Sequence, residues 1–341
     1  MKNNRRFSMV SLGIGLTSDC DLSCAHCYRD QDRIDNLTLA DIQKVCESLE
    51  ISSIGFGTGE NGLNPEYFEI LEYLTARQIK LTLASNGYTL SITPDNVLKY
   101  FGDVEFSVDF PDQKRHNDFR GQGNWKTVMD GIARCRRLGI RVSILAVLMN
   151  LNYKDLGSIA QLAASLEADF RVNVYQPMYT AEFMPSFDQY WQAFEALFSR
   201  SEIISVSEPL VNTFMGLKGL KGTPCGGRSM RITPDRLLKA CVYWPNSDLT
   251  IEDLVEKKET IFQSSLFKQT HKIPQFCLDC EHVGNCGGGC AARRILRGQF
   301  EKPDEYCPIF QGKTIQLEGW LSPVTKPLRT GSICTTIVRG I

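Results

Sequence analysis

Through the first two hundred residues the apolar positions switch between two periods. Short apolar runs read as strands at 9–17, 53–57, 80–85, 104–109, 141–149 and 171–176. Between them, apolar residues recur at helical spacing over 39–49, 65–77, 94–101, 125–138 and 153–166, and a sixth helix is predicted at 187–198. Thr93 and Asp155 are predicted caps, and Gly139 is predicted to end one helix just before its strand. Strands alternating with helices imply βαβ units on a parallel sheet, and six such units make an α/β fold of the partial (β/α)6, TIM-like kind.

After residue 200 this rhythm stops. Residues 201–224 are rich in Gly and Lys and read as a linker; 228–233 and 237–243 flank Pro234-Asp235 and predict a hairpin; 251–268 is predicted helical. Residues 277–310 hold five cysteines around Gly287-Gly288-Gly289, the texture of a loop wrapped around something inorganic. The expected division is a barrel at 1–200, a linker at 201–224, a small cysteine-rich domain at 225–311 and a tail at 312–341 whose role the sequence does not disclose. There is no internal repeat or low-complexity tract.

The 341 residues carry a formal charge of −1, which gives no field for nucleic acid or an anionic membrane as a partner. Thirteen cysteines would suit a secreted disulfide scaffold only in a much smaller chain. Lys2, Arg5 and Arg6 precede an apolar stretch as in an export signal, but no small-residue cleavage site follows, so a first strand is expected there. No run approaches the ~18 apolar residues of a membrane helix. The expected location is therefore a reducing cytoplasm, where cysteines bind metal.

Cys20, Cys24 and Cys27 are spaced C-x3-C-x2-C directly after the first strand. Iron–sulfur cubanes normally take four thiolates, so three leave one iron open. This arrangement resembles the radical S-adenosylmethionine (SAM) superfamily. The resemblance implies that SAM's amino and carboxylate groups chelate the open iron. An electron from the reduced cluster then breaks a carbon–sulfur bond, giving a 5′-deoxyadenosyl radical that abstracts hydrogen. It further implies SAM contacts at strand C-terminal ends, where barrel active sites form. Gly57-Thr58-Gly59-Glu60 resembles the Gly-Gly-Glu motif for the SAM amino group, with Thr58 at its first glycine and Asn61 where proline is usual. Ser85-Asn86-Gly87 resembles the family's Thr-Asn-Gly. Ser107 and Asp109 are placed to bond ribose hydroxyls, and His26 takes the aromatic position near adenine. Residues 116–121 resemble a loop of peptide-modifying members, in which Arg120 would face the SAM carboxylate or the substrate.

The second cysteine region runs Cys277-x2-Cys280-x5-Cys286-x3-Cys290 and then Cys307, preceded by Cys225-x15-Cys241. Taken alone, its Cys-x2-Cys also suits zinc. Behind a radical SAM motif, the whole order resembles the SPASM extension with two auxiliary clusters, except that Arg236 stands where glycine is usual. By that resemblance Cys277, Cys280, Cys286 and Cys307 hold an outer cluster, and Cys225, Cys241 and Cys290 an inner one. The inner cluster's fourth ligand is then an open site, a non-cysteine group or Cys334. Three [4Fe-4S] clusters and SAM are the expected cofactors. Cys46 and Cys135 read as small buried hydrophobes. With only His26, His116, His271 and His282 in the chain, a histidine-rich metal site is not expected.

SPASM-bearing relatives mostly modify ribosomally made peptides, so a precursor peptide is the expected substrate. Tyramine excision by a splicease ranks first and thioether or carbon–carbon crosslinking next. Processing of a haem precursor or cofactor peptide is the alternative, and a non-catalytic electron carrier or zinc module is the alternative of a different class. Because the sequence starts almost at the first strand, a separate leader-recognition protein is expected, together with an external donor such as flavodoxin or ferredoxin.

Overall fold

The computed structural model describes residues 9–216, 227–323 and 334–341. The six predicted strands are β1 (Val10–Ile14), β2 (Ile51–Phe56), β3 (Lys80–Ser85), β4 (Phe101–Ser107), β5 (Arg141–Leu148) and β6 (Asp169–Val174). They pair in sequence order, every neighbour parallel. Apolar faces of the intervening helices close on one side of this sheet, as in Ile42 and Val45, Ile70 and Leu74, and Val128 and Ile132, all buried. The protein is thus the α/β barrel type expected, and among the described residues no helix is long and apolar enough to cross a membrane.

Local chemistry sets several boundaries. Thr38 and Ser186 each close a capping box, opening helices Leu39–Ser48 and Phe187–Phe198. Asp155 sits at the N-cap of Leu156–Ser165 without a side-chain capping bond; its carboxylate takes the Arg115 guanidinium instead, at 2.6 Å. Thr93 ends a short helix the periodicity did not show, Tyr88–Ile92, while the helix expected at 94–101 is only Asp95–Leu98, with Pro94 at its N-cap and Phe101 already in β4. The loop expected around His116 is a helix, Gln113–Arg120, capped by Asp112.

Downstream, residues expected as linker contain β7 (Ser201–Val206) and a short helix, Pro209–Phe214. The expected hairpin is β8 (Ser229–Ile232) and β9 (Leu238–Lys239), with β8 joining the sheet parallel to β1. The predicted helix 251–268 breaks at Lys258, whose φ is +49°, into an α-helix, a 3-10 turn and a further short helix. At the far end β10 (Thr336–Gly340) inserts antiparallel between β6 and β7. Among the described residues, ten strands form one sheet in the order β7-β10-β6-β5-β4-β3-β2-β1-β8-β9.

The cysteine-rich region is fastened to the barrel by buried polar contacts. Arg293 is 1 % exposed and pairs with Asp304 at 2.5 Å and Glu208 at 2.8 Å. Tyr306 stacks on Tyr190 with centroids 4.2 Å apart, and its hydroxyl donates to the Pro185 carbonyl at 2.7 Å.

Candidate active site at the barrel mouth

Inside the barrel, β4 sends Asp103, Glu105 and Ser107 to one face, because alternate strand residues share a side. Asp103 accepts from Arg171 of β6 at 2.8 Å, forming a buried polar floor. Above it opens a cavity whose empty space, part of it continuous with solvent, amounts to about 1310 Å³. Its wall includes Cys20, Cys24 and Cys27 on one side and strand ends on the other, with Arg231, Val242 and Tyr243 from the chain beyond β7. The triad and the barrel mouth thus share one chamber.

Most of the expected contacts meet there: His26, Thr58, Gly59, Glu60, Asn86, Ser107 and Arg120 all line the cavity. Glu60 is fully buried and accepts from Ser85 Oγ, from Asn86 N at 3.0 Å and from Thr89 N at 2.9 Å. Its carboxylate therefore anchors the turn after β3, while burial pushes its pKa up. Asn86 Nδ2 donates to Asp21 Oδ1 at 2.7 Å and approaches Cys20 Sγ at 3.7 Å, tying that turn to the cysteine loop. Gly59 has φ +62°, and a Cβ on it would stand 2.4 Å from the Thr17 carbonyl oxygen, so only glycine lets the loops approach this closely.

Asp109 departs from its expected place. It is fully buried behind the wall, with Oδ1 accepting from Val147 N at 2.9 Å and Oδ2 from Arg120 Nε at 2.7 Å. It therefore orients Arg120 and His26 instead of offering itself to a ribose. Burial would raise its carboxyl, but Arg120, His26 and the Val147 N–H together hold it below the usual range. Burial lowers His26 to about 4, so at neutral pH it is an uncharged ring, tilted over Phe119 at 4.8 Å. Its Nδ1 is buried without a hydrogen-bond partner.

These features fit the implied cofactors. Three thiols share a chamber that also offers an orphaned imidazole nitrogen and a backbone cradle at Thr58-Gly59. Burial pushes Cys20 up to about 12 and raises Cys24, so a metal cluster would have to displace their protons. Sequence patterns missed Tyr28, Glu105, Asn173, Tyr175, Arg231 and Tyr243, which also line the cavity. Tyr28 had a weak signal in following Cys27 directly, Tyr243 in standing two residues after Cys241 and Glu105 in sharing a strand face with Ser107; Asn173, Tyr175 and Arg231 belong to no motif.

A second, smaller pocket of about 340 Å³ is lined by Cys277, Cys280, Cys286 and Cys307. Burial pushes Cys277 up to about 11, with Cys286, Cys307 and Cys280 adding to the rise. The four are spread around the pocket and not drawn to one point: among the described residues, no three His, Cys, Asp or Glu side chains are grouped to hold a single metal ion. Cys241 and Cys290 are both buried; Cys225 lies outside the described residues. Cys46 packs partly buried against the main core and Cys135 is fully buried in it.

The family model of the radical SAM superfamily matches residues 14–163. The chain carries a radical SAM domain over those residues, a domain whose chemistry uses SAM and an iron–sulfur cluster, and its cysteine-rich C-terminal region is consistent with a SPASM extension. Among its relatives is mycofactocin maturase MftC of Mycobacterium tuberculosis (strain CDC 1551 / Oshkosh), 24 % identical over 86 % of this chain and 81 % of the relative. Another is the subtilosin biosynthesis protein AlbA of Bacillus subtilis (strain 168), 23 % identical over 84 % of this chain and 68 % of the relative. The fold matches native anSMEcpe with bound AdoMet and Kp18Cys peptide at TM-score 0.70, with 19 % identity, 89 % of this chain and 95 % of the other. It also matches Streptococcus suis SuiB bound to precursor peptide SuiA at TM-score 0.66, with 17 % identity, 88 % of this chain and 76 % of the other.

Proposed function

We propose that this enzyme modifies a ribosomally synthesised precursor peptide. The supporting observation is that similarity to a mycofactocin maturase runs over 86 % of the chain and so extends well past residues 14–163 into the cysteine-rich region. When bound, SAM and its cluster supply abstraction of hydrogen from an unactivated C–H bond. Cys20, Cys24 and Cys27 hold that cluster, the Thr58-Gly59 backbone and Arg120 bind the polar end of SAM, and the neutral His26 ring packs on its adenine. Leu145, Val147 and Tyr175 form an apolar wall that keeps water from the reacting centre.

Two auxiliary [4Fe-4S] clusters complete the proposal, in a domain covering 225–311. The outer one is held by Cys277, Cys280, Cys286 and Cys307, the inner by Cys225, Cys241 and Cys290. The inner cluster's last site is open, held by a non-cysteine group, or filled by Cys334, which precedes a threonine bonded to Ser207 just after β7. Three clusters predict roughly twelve irons per chain after anaerobic reconstitution, whereas tightly bound zinc in the second region would remove the auxiliary clusters.

Tyramine excision is the first-ranked modification and thioether or carbon–carbon crosslinking the second. Co-expression with candidate precursor peptides, read by mass spectrometry, tests all of these. Loss of a tyramine mass identifies splicing, and loss of two hydrogens identifies crosslinking or oxidation. Release of 5′-deoxyadenosine with every peptide unchanged would turn the search to haem-precursor or cofactor-peptide substrates. A separate leader-recognition protein and a flavodoxin or ferredoxin donor complete the system. The first is dropped if the enzyme alone binds precursor as tightly as the mixture does.

A further inference from the structure

Arg231 comes from β8, outside the six barrel units, yet its side chain crosses into the cavity beside the cysteine triad. Two glycines make room for it. A Cβ on Gly13 of β1 would lie 2.9 Å from Arg231 Nη1, and one on Gly57 would lie 3.4 Å from Nη2. Nη2 donates to the Gly57 carbonyl and to the Thr58 hydroxyl, and that hydroxyl also meets the Tyr28 hydroxyl at 2.9 Å. Thr58 has φ +80°, a strained conformation for a β-branched residue, and these hydrogen bonds hold it there.

Among the described residues this guanidinium has no carboxylate partner. It is 7 % exposed, its Nε is buried with no hydrogen-bond partner, and the groups that bear on its charge are Tyr28, Cys241 and Tyr243. Arg171 and Arg293, more deeply buried, and Arg120 each face a carboxylate at 2.8 Å or less, while the buried Arg29 and Arg294 each donate two N–H groups to backbone carbonyls outside the cavity's strand ends. A buried charge without a counter-charge is costly, so a site that keeps one is set up for an anion that arrives later. The planar fork of arginine suits a carboxylate, which it can grip through two parallel hydrogen bonds.

We infer that Arg231 is a carboxylate-binding residue of this cavity, additional to Arg120, receiving either the carboxylate of SAM or a carboxylate of the substrate. The inference rests on the cavity being the SAM and substrate chamber, and its SAM arm needs no knowledge of the peptide. Thr58, standing where the family has glycine, is then explained: its hydroxyl and the Gly57 carbonyl position the arginine from below.

The test compares the reconstituted enzyme with R231Q and R231K, using SAM and decarboxylated SAM as probes in anaerobic equilibrium dialysis. If SAM supplies the carboxylate, R231Q weakens SAM on the order of tenfold or more, leaves decarboxylated SAM unchanged, and R231K falls between. If the substrate supplies it, SAM binds all three proteins equally. KM for the precursor found by co-expression then rises on the order of tenfold in R231Q with kcat retained. Converting one precursor carboxylate to an amide gives the same rise on the unmutated enzyme and none on R231Q. Equal binding of SAM and of precursor by R231Q overturns the inference, including when only the cluster spectra change, which would assign the charge to offsetting a cluster at Cys241. Should no peptide prove to be a substrate, equal SAM affinity in the three proteins overturns it as well. R231K, which keeps the charge and most of the stem, controls for folding through its iron content and melting temperature.

Discussion

Glu105 shows how a barrel interior changes an ordinary carboxyl. Its Oε1 lies 3.3 Å from Arg171 Nη1 without a hydrogen-bond partner, and burial pushes the group up to about 7, against the pull of Arg171 and with Asp103 adding to the rise. An unfolded glutamate titrates near 4.3, so the unfolded chain releases this proton first. The stabilisation is complete below about pH 4.3 and is lost as pH rises through 7. E105Q is therefore expected to flatten the fall in stability between pH 5 and 8, a difference of up to about 3 kcal/mol. Urea unfolding at several pH values measures it; an unchanged slope refutes it. Residue chemistry was partly legible beforehand. The triad, His26 and Asn86 all line the same cavity, as a local loop beside a strand end allows. Asp109 could not be read correctly, because its role depends on Arg120 closing over it from a helix eleven residues later.

At the scale of elements, the six parallel units were legible because their apolar periods are strong and their connections short. Position Arg236 shows what a motif comparison leaves out. It adopts φ +67° where the family has glycine, a cost of roughly 1–2 kcal/mol, and in return pairs with Asp41 at 3.1 Å. Contacts of this kind fasten the cysteine-rich region to the barrel. R293M would leave Asp304 and Glu208 buried without their partner, and Asp304 also accepts from Cys290 N at 2.8 Å. A loss of about 3–5 kcal/mol is expected, visible as a lower urea midpoint. Adding D304N to R293M should cost less than the two single changes summed, since the sites share one network. Strict additivity would show that the network is not one unit.

For the whole molecule, the outstanding feature is that the sheet departs from chain order on both sides of the six parallel strands, where β10 separates β6 from β7 and β8 pairs with β1. β10 lies between β6 and β7 although more than a hundred residues separate it from either. Val338 is fully buried there, and Arg339 pairs with Asp169 at 2.7 Å. Deleting residues 334–341 would expose the backbone edges of both neighbouring strands. Aggregation in size-exclusion chromatography and a lower melting temperature are expected; a monodisperse protein of unchanged stability would show that the strand is dispensable.

The sequence by itself determined the parallel α/β architecture, the spacing of the cysteine triad and the cysteine order of the second region. All three are set by short spacings that any fold must respect. Only the tertiary structure decided that β10 closes the far side of the sheet, that Asp109 serves Arg120, and that Arg231 enters the chamber. Each depends on which distant backbone runs alongside. Between Met230 and Ile232, Arg231 reads as a polar residue facing solvent. The glycines at 13 and 57 turn that position into the cavity, and no pattern within β8 carries that information.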